Sequence, residues 1–208
     1  MRTKPGHVFI NCPFDAEYEQ LFHALLFTVS ACGGVPRCAL EEDDAMQIRL
    51  HKIVRIIEEC PLGIHDVSRT ELDEANGLPR FNMPFELGIF IGASSILRRR
   101  CLRRALILDS DPYRYQKFLS DIAGQDIRSH GGDSARVIRV VRDWLAAASP
   151  DASLPPARKI SRAFQAFKAS MPDIAVGLGF HHSHMPFVDL KKAIVSWIKA
   201  SHSFTTSP

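Results

Sequence analysis

One carboxylate, Glu86, heads the otherwise apolar stretch FNMPFELGIFIG at residues 81–92, and chemistry is first expected there. Phe81, Met83, Phe85, Leu87 and Ile89 would surround the acid with apolar groups. Desolvation would raise its pKa, which suits a nucleophile or an acid/base group tuned by burial. A second reading uses the same spacing. With Asn82 or Met83 as the cap and Pro84 opening a helix, Glu86 falls at or near the third helical position, where a glutamate bonds back to the cap amide.

A carboxylate needs partners, and the order of elements says where to collect them. HVFIN (His7 to Asn11) is a short apolar run stopped by Pro13, which fits a buried strand. Asp15 can then cap a helix through about Cys32, where Leu21, Leu25, Leu26 and Val29 recur at helical spacing. The pattern repeats with a strand at Val35 to Leu40, a helix from Ile48 to Cys60, and a third strand at Pro61 to Ser68. A polar loop from Arg69 to Asn82 leads to a helix from Pro84 to about Leu97, and Arg103 to Asp109 forms a fourth strand. Tyr113 to Leu119 reads as helical, Ala123 to Ile127 as a fifth, edge strand, and Ala135 to Ala148 as an amphipathic helix. Short, wholly apolar strands alternating with helices specify an α/β fold, an open parallel sheet of about five strands with helices on both faces.

In such a sheet, ligands bind beyond the carboxyl ends of the strands, near the point where strand order reverses. The candidates are therefore Asn11, Cys12, Pro13 and Phe14 after the first strand, Arg37 after the second, and Asp66 and Arg69 after the third. Asn82 and Glu86 follow on the next helix. Asp66 reads equally as a turn or cap residue, Asp15 as an N-cap, and Cys12 as a buried filler. No GxGxxG or Walker sequence is present.

The rest of the chain narrows the classes. Residues 1–148 read as the α/β domain, and residues 149–208 as a Ser/Pro/Ala linker with a small C-terminal helical appendage, its helices at Ala157 to Ser170 and Val188 to His202. His181, His182 and His184 lack a cysteine or carboxylate at ligand spacing, so a surface loop is expected there and no metal. Arg98, Arg99, Arg100, Arg103 and Arg104 suit a helix terminus. With 26 basic against 23 acidic residues, charge gives no case for nucleic acid. Five cysteines without CxxC spacing, and no leader or long apolar run, fit a reduced cytoplasmic chain that does not engage membrane.

VFINCPFD at residues 8–15 resembles the first strand and turn of nucleoside 2-deoxyribosyltransferases, and FELGIFIGAS at residues 85–94 resembles their helix-opening segment that bears the nucleophilic glutamate. The same layout is similar to bacterial Toll/interleukin receptor (TIR) domains, a related group of flavodoxin-like folds, many of which cleave NAD at its N-glycosidic bond. The resemblance spans Val8 to Asp109. It implies Glu86 as the group that attacks or stabilises the ribosyl C1′, Asp66 as a holder of the base or its leaving proton, and the turn from Asn11 to Phe14 as pocket wall.

The expected function is thus a nucleotide N-glycosidase, with NAD as substrate and no cofactor, of the kind found among assembling anti-phage effectors, and so a homo-oligomer. Two other readings stay open: a module that senses a nucleotide or oligomerises without catalysis, and a nucleoside 2-deoxyribosyltransferase.

Overall fold

The computed structural model describes residues 4–72, 77–96, 103–180 and 185–201. Five parallel strands form one open sheet in the order β2-β1-β3-β4-β5. They are β1 (His7–Asn11), β2 (Val35–Arg37), β3 (Leu62–Asp66), β4 (Arg104–Asp109) and β5 (Arg128–Ser129). The helices between them are α1 (Glu19–Ala31), α2 (Arg49–Glu58), α3 (Asn82–Ile96) and α4 (Ser134–Ala148). This is a flavodoxin-like α/β fold.

Side chains alternate across a strand, so each strand feeds two cores. Val8, Ile10, Leu62, Ile64, Leu106 and Leu108 point to the face covered by α1 and α4. Phe9 packs on the other face with Ile53, Ile56 and Ile57 of α2 and Phe90 of α3. Ile107 joins Leu87 of α3 and Tyr115 beside it. Gly63 belongs to this second face: a β-carbon there would lie 2.7 Å from His65 Nε2 and 2.8 Å from the Phe90 ring. The closeness of those two rings requires the glycine.

Two further helices, α5 (Ala157–Gly177) and α6 (Phe187–Ala200), follow the linker. Ile160, Phe164, Phe167, Leu190 and Ile194 sit in the same apolar cluster as Leu25 and Phe27 of α1 and Val141 of α4. The Phe27 ring lies 5.6 Å from Phe164, 5.4 Å from Phe167 and 5.8 Å from Trp197. The C-terminal helices thus form an outer layer on the α1/α4 face.

Several boundaries differ from the sequence reading. β2 ends at Arg37, and residues Ala39–Glu41 form a 3-10 turn. The segment after β4 breaks into 3-10 turns at Arg114–Lys117 and Ser120–Ile122, entered through Tyr113 in the left-handed region at φ 61°. The edge strand falls at Arg128–Ser129 instead of 123–127. α5 runs on through Pro172 to Gly177, past the predicted end at Ser170. His181, His182, His184 and Arg98 to Arg100 lie outside the described residues. Among the described residues, no helix is long and apolar enough to cross a membrane.

Candidate functional site

Strand order reverses between β1 and β3: the chain moves from β1 out to β2 on one side, then returns to add β3 on the other. The crevice at their carboxyl ends is the place where this architecture receives ligands. Asn11 ends β1 there and Asp66 ends β3.

Asn11 organises the α3 side of the crevice. Its Nδ2 donates to the Met83 carbonyl oxygen at 2.8 Å and to His65 Nδ1 at 3.1 Å. One buried amide therefore joins the end of β1 to β3 and to the first turn of α3. His65 is fully buried, and burial alone pulls its pKa down to about 3, so the ring is neutral. Among the described residues its Nε2 has no hydrogen-bond partner.

α3 begins earlier than the sequence reading placed it. Asn82 is its first residue, and the Phe81 carbonyl accepts from the Phe85 amide at 2.9 Å. Pro84 is therefore the third helical residue, still within the turn whose amides lack intrahelical acceptors. Glu86 lies beyond the position from which a capping box can form. The capping explanation fails on geometry.

Glu86 is 7% exposed, and among the described residues its carboxylate takes part in no hydrogen bond or ion pair. Burial pushes its pKa up to about 7, against a lowering influence from the Arg49 guanidinium. The enclosure differs from the expected one: Phe81 and Phe85 turn outward, 59% and 58% exposed, whereas Met83 and Leu87 are buried. Cys12 and Cys38, at the ends of β1 and β2, both feel the Glu86 charge. Asn82 is exposed one helical turn before Glu86, on the same face of α3.

Asp66 belongs to the opposite face. Alternation along β3 turns His65 toward α3 and Asp66 toward α1 and α4. Asp66 is fully buried and accepts from the Tyr18 hydroxyl at 2.5 Å and from the Ser68 amide at 2.9 Å. His130 Nε2 stands 3.0 Å from Oδ2, near enough for strong attraction but off the line of a straight hydrogen bond. The Gly132 amide donates to His130 Nδ1 at 3.0 Å, which leaves the ring proton on Nε2, facing Asp66. Gly131 and Gly132, at φ 59° and 72°, make the turn that brings His130 there. Burial would raise Asp66, but His130, Ser68 and Tyr18 outweigh it and hold the carboxyl below its ordinary value.

The remaining candidates divide in the same way. Cys12 is buried, and burial together with the Asp66 and Glu86 charges holds its thiol well above the ordinary value, so it carries no thiolate. Pro13 is buried beside it, while Phe14 is on the rim and meets Phe22 edge-on at 5.2 Å. Arg69 is on the rim too, paired with Glu17 and at 3.5 Å with Asp15. Asp15 does not cap α1 directly. Its carboxylate closes the preceding turn through the Tyr18 amide at 3.0 Å and pairs with Arg80 at 2.9 Å. Arg37 is not brought to the crevice, because its guanidinium is spent on Glu41 at 2.6 Å and Glu59 at 2.7 Å, with His7 Nδ1 at 3.2 Å.

Sequence spacing alone does not single out Tyr18, His130 or Arg114. The tyrosine and histidine reach Asp66 from 48 and 64 residues away, a juxtaposition that no local spacing encodes. Arg114 clamps Asp109 at the end of β4 through Nε at 2.8 Å and a terminal nitrogen at 2.6 Å, and also donates to the Val67 carbonyl oxygen at 2.9 Å. A signal for His130 existed in SHGGDS at residues 129–134, where paired glycines precede a helix capped by Asp133. Among the described residues no group of three or more His, Cys, Asp or Glu side chains is placed to hold a metal ion. Comparison of the chain with family models, with curated proteins and with solved structures finds no match.

Proposed function

We propose that the protein cleaves the N-glycosidic bond of a nucleotide, with NAD the first substrate to test, and that Glu86 is the catalytic residue. One observation carries this reading: a carboxylate with no hydrogen-bond or ion-pair partner among the described residues is held nearly buried on the helix that Asn11 ties to the β1/β3 switch point. A group held this way is destabilised as an anion until a positive centre stands before it. When the C1′–N bond breaks, its electron pair leaves with the base and positive charge develops on the sugar ring. The Glu86 carboxylate stabilises that charge, and water then adds to C1′ and releases its proton to solvent. The resemblance of VFINCPFD and FELGIFIGAS to deoxyribosyltransferases and TIR domains supports the same residue.

In this reading Asp66 acts from behind the crevice. Its bonds to Tyr18 and to the Ser68 amide set the course of the loop leaving β3, which carries Arg69 toward the rim. Asn11 sets the start of α3 and so the height of Glu86.

The test is release of free base from NAD and from a panel of nucleosides and nucleotides, in dilute and concentrated protein. Glu86→Gln is expected to abolish release. Binding without release by wild type would favour a nucleotide-sensing module, and base exchange between deoxynucleosides would favour a transferase.

A further inference from the structure

We propose that Asn11 Oδ1 is the acceptor for the 2′-hydroxyl of the ligand's sugar, so that the crevice selects ribosides over 2′-deoxyribosides. This rests on the reading in which Glu86 faces C1′, and it names the sugar which that reading leaves open.

The Asn11 amide has one end committed and one end free. The Met83 carbonyl oxygen can only accept, so the atom 2.8 Å from it is Nδ2, and the orientation of the amide is fixed. The second Nδ2 proton goes to His65 Nδ1 at 3.1 Å, which leaves that ring's own proton on Nε2. Both donors are thereby used. Among the described residues nothing donates to Oδ1. Asn11 is only 3% exposed, yet Oδ1 is not sealed from solvent.

Packing brings Glu86 to the same place. Phe90 of α3 packs on Phe9 of β1, and the His65 ring meets both, at 4.8 and 5.7 Å. From that contact Asn11 lies two residues on along β1, a rise of about 6.6 Å. Glu86 lies one turn back along α3, about 6 Å. The bond from Asn11 to the Met83 carbonyl shows that the two displacements run the same way. Asn11 Oδ1 and the Glu86 carboxylate therefore stand at one end of the same face of the sheet, above a floor of three rings.

Both groups are acceptors, and among the described residues neither has a donor. Such a pair suits a ligand that brings a hydroxyl proton and a positive centre on neighbouring atoms. A ribosyl group does so: positive charge develops at C1′, and the hydroxyl on the adjacent carbon donates to Oδ1. A 2′-deoxyribosyl group brings the charge and leaves the oxygen unmet, which costs affinity.

The experiment is calorimetric titration of the Glu86→Gln chain, so that ligand is not consumed, with the four ribonucleoside 5′-monophosphates and nicotinamide mononucleotide. Each is compared with its 2′-deoxy and 2′-fluoro-2′-deoxy counterparts, the fluorine being unable to donate. At least one ribonucleotide is expected to bind about tenfold or more tighter than both counterparts. Adding Asn11→Ala should bring that ratio close to one. Gly63→Ala, which disturbs the ring floor without touching Oδ1, should weaken all three sugars alike and keep the ratio. The comparison among ligands needs no change at Asn11, so it stands even if that variant does not fold.

Equal affinity for ribose and deoxyribose, a fluoro compound as tight as its hydroxyl parent, or no binding of any ribonucleotide at millimolar concentration would overturn the proposal. So would a ratio that survives Asn11→Ala or that Gly63→Ala erases. Glu86-dependent release of base by wild type, together with equal affinities, would remove the role of Asn11 and keep the N-glycosidase reading. An Asn11-dependent ribose preference with no base release would do the reverse.

Discussion

Asn11 Nδ2 donates both to the Met83 carbonyl oxygen, at 2.8 Å, and to His65 Nδ1, at 3.1 Å, so a single amide ties the first turn of α3 to the ends of β1 and β3. Asn11→Ala leaves a buried carbonyl and a buried ring nitrogen without a donor, and is expected to cost about 1–3 kcal/mol. Denaturant unfolding measures it. Asn11→Asp should behave differently, because a carboxylate presents only acceptors to two acceptors. His65 is then expected to take up a proton on Nδ1, moving from about 3 toward the ordinary histidine range. An NMR titration in which His65 stays neutral down to the same low pH would contradict this.

Glu86 makes the protein less stable as pH rises. The folded chain holds the Glu86 proton up to about 7, whereas the unfolded chain releases it near 4.5. Between those values the folded state binds more protons, so stability falls with rising pH and levels off above 7. Glu86→Gln removes the charge and should be more stable than wild type at pH 8 by about 1–3 kcal/mol, with little difference at pH 4. Thermal melts at the two pH values read the result. Catalysis by the anion should run the other way, with base release climbing through pH 7. A variant that melts far below wild type at both pH values would show that Glu86 is needed for the fold.

Asp66 has the opposite sign. Its folded pKa lies below the ordinary carboxyl value, so its contribution is present above about pH 4 and lost as pH falls through the folded value. Asp66→Asn leaves the Tyr18 hydroxyl and His130 facing a weaker acceptor and should destabilise by about 3 kcal/mol at pH 7. Acid unfolding of the variant should also begin from a flatter curve below pH 4. Equal acid sensitivity in both proteins would place the linkage elsewhere.

Gly63→Ala inserts a methyl group 2.7 Å from His65 Nε2, between two buried rings. Overpacking of this kind costs about 1–3 kcal/mol. Because His65 is bonded to Asn11, the shift should also reach the start of α3. Loss of Glu86-dependent activity beyond the loss of stability is the expected outcome, read as activity per folded molecule.

The sheet was legible because its strands are continuous apolar runs, and runs such as VFI and LGI have little use outside a doubly covered sheet. Glu86 was legible for a related reason: a carboxylate among apolar neighbours is costly, and cost marks function. Its surroundings were not. The phenyl rings expected to wrap it lie on the solvent side of α3, while Met83 and Leu87 are the neighbours that stay buried. Asp66 and Glu86 are close along the chain around the end of β3, yet one step of strand alternation turns Asp66 to the face opposite α3. Arg37 stands at a strand end, but its ion pairs with Glu41 and Glu59 depend on the packing of α2 beside β2, which its position in the sequence does not encode.

The outer layer of α5 and α6 has a consequence for synthesis. Phe27 is made early, but Phe164, Phe167 and Trp197, which enclose it, are added more than a hundred residues later. A ribosome adding about 5–20 residues per second leaves this flank of α1 uncovered for a few seconds, up to roughly 14 s, after the sheet's strands have emerged. During that interval the nascent chain presents an aromatic surface to the cell, and a message truncated before α5 would present it permanently.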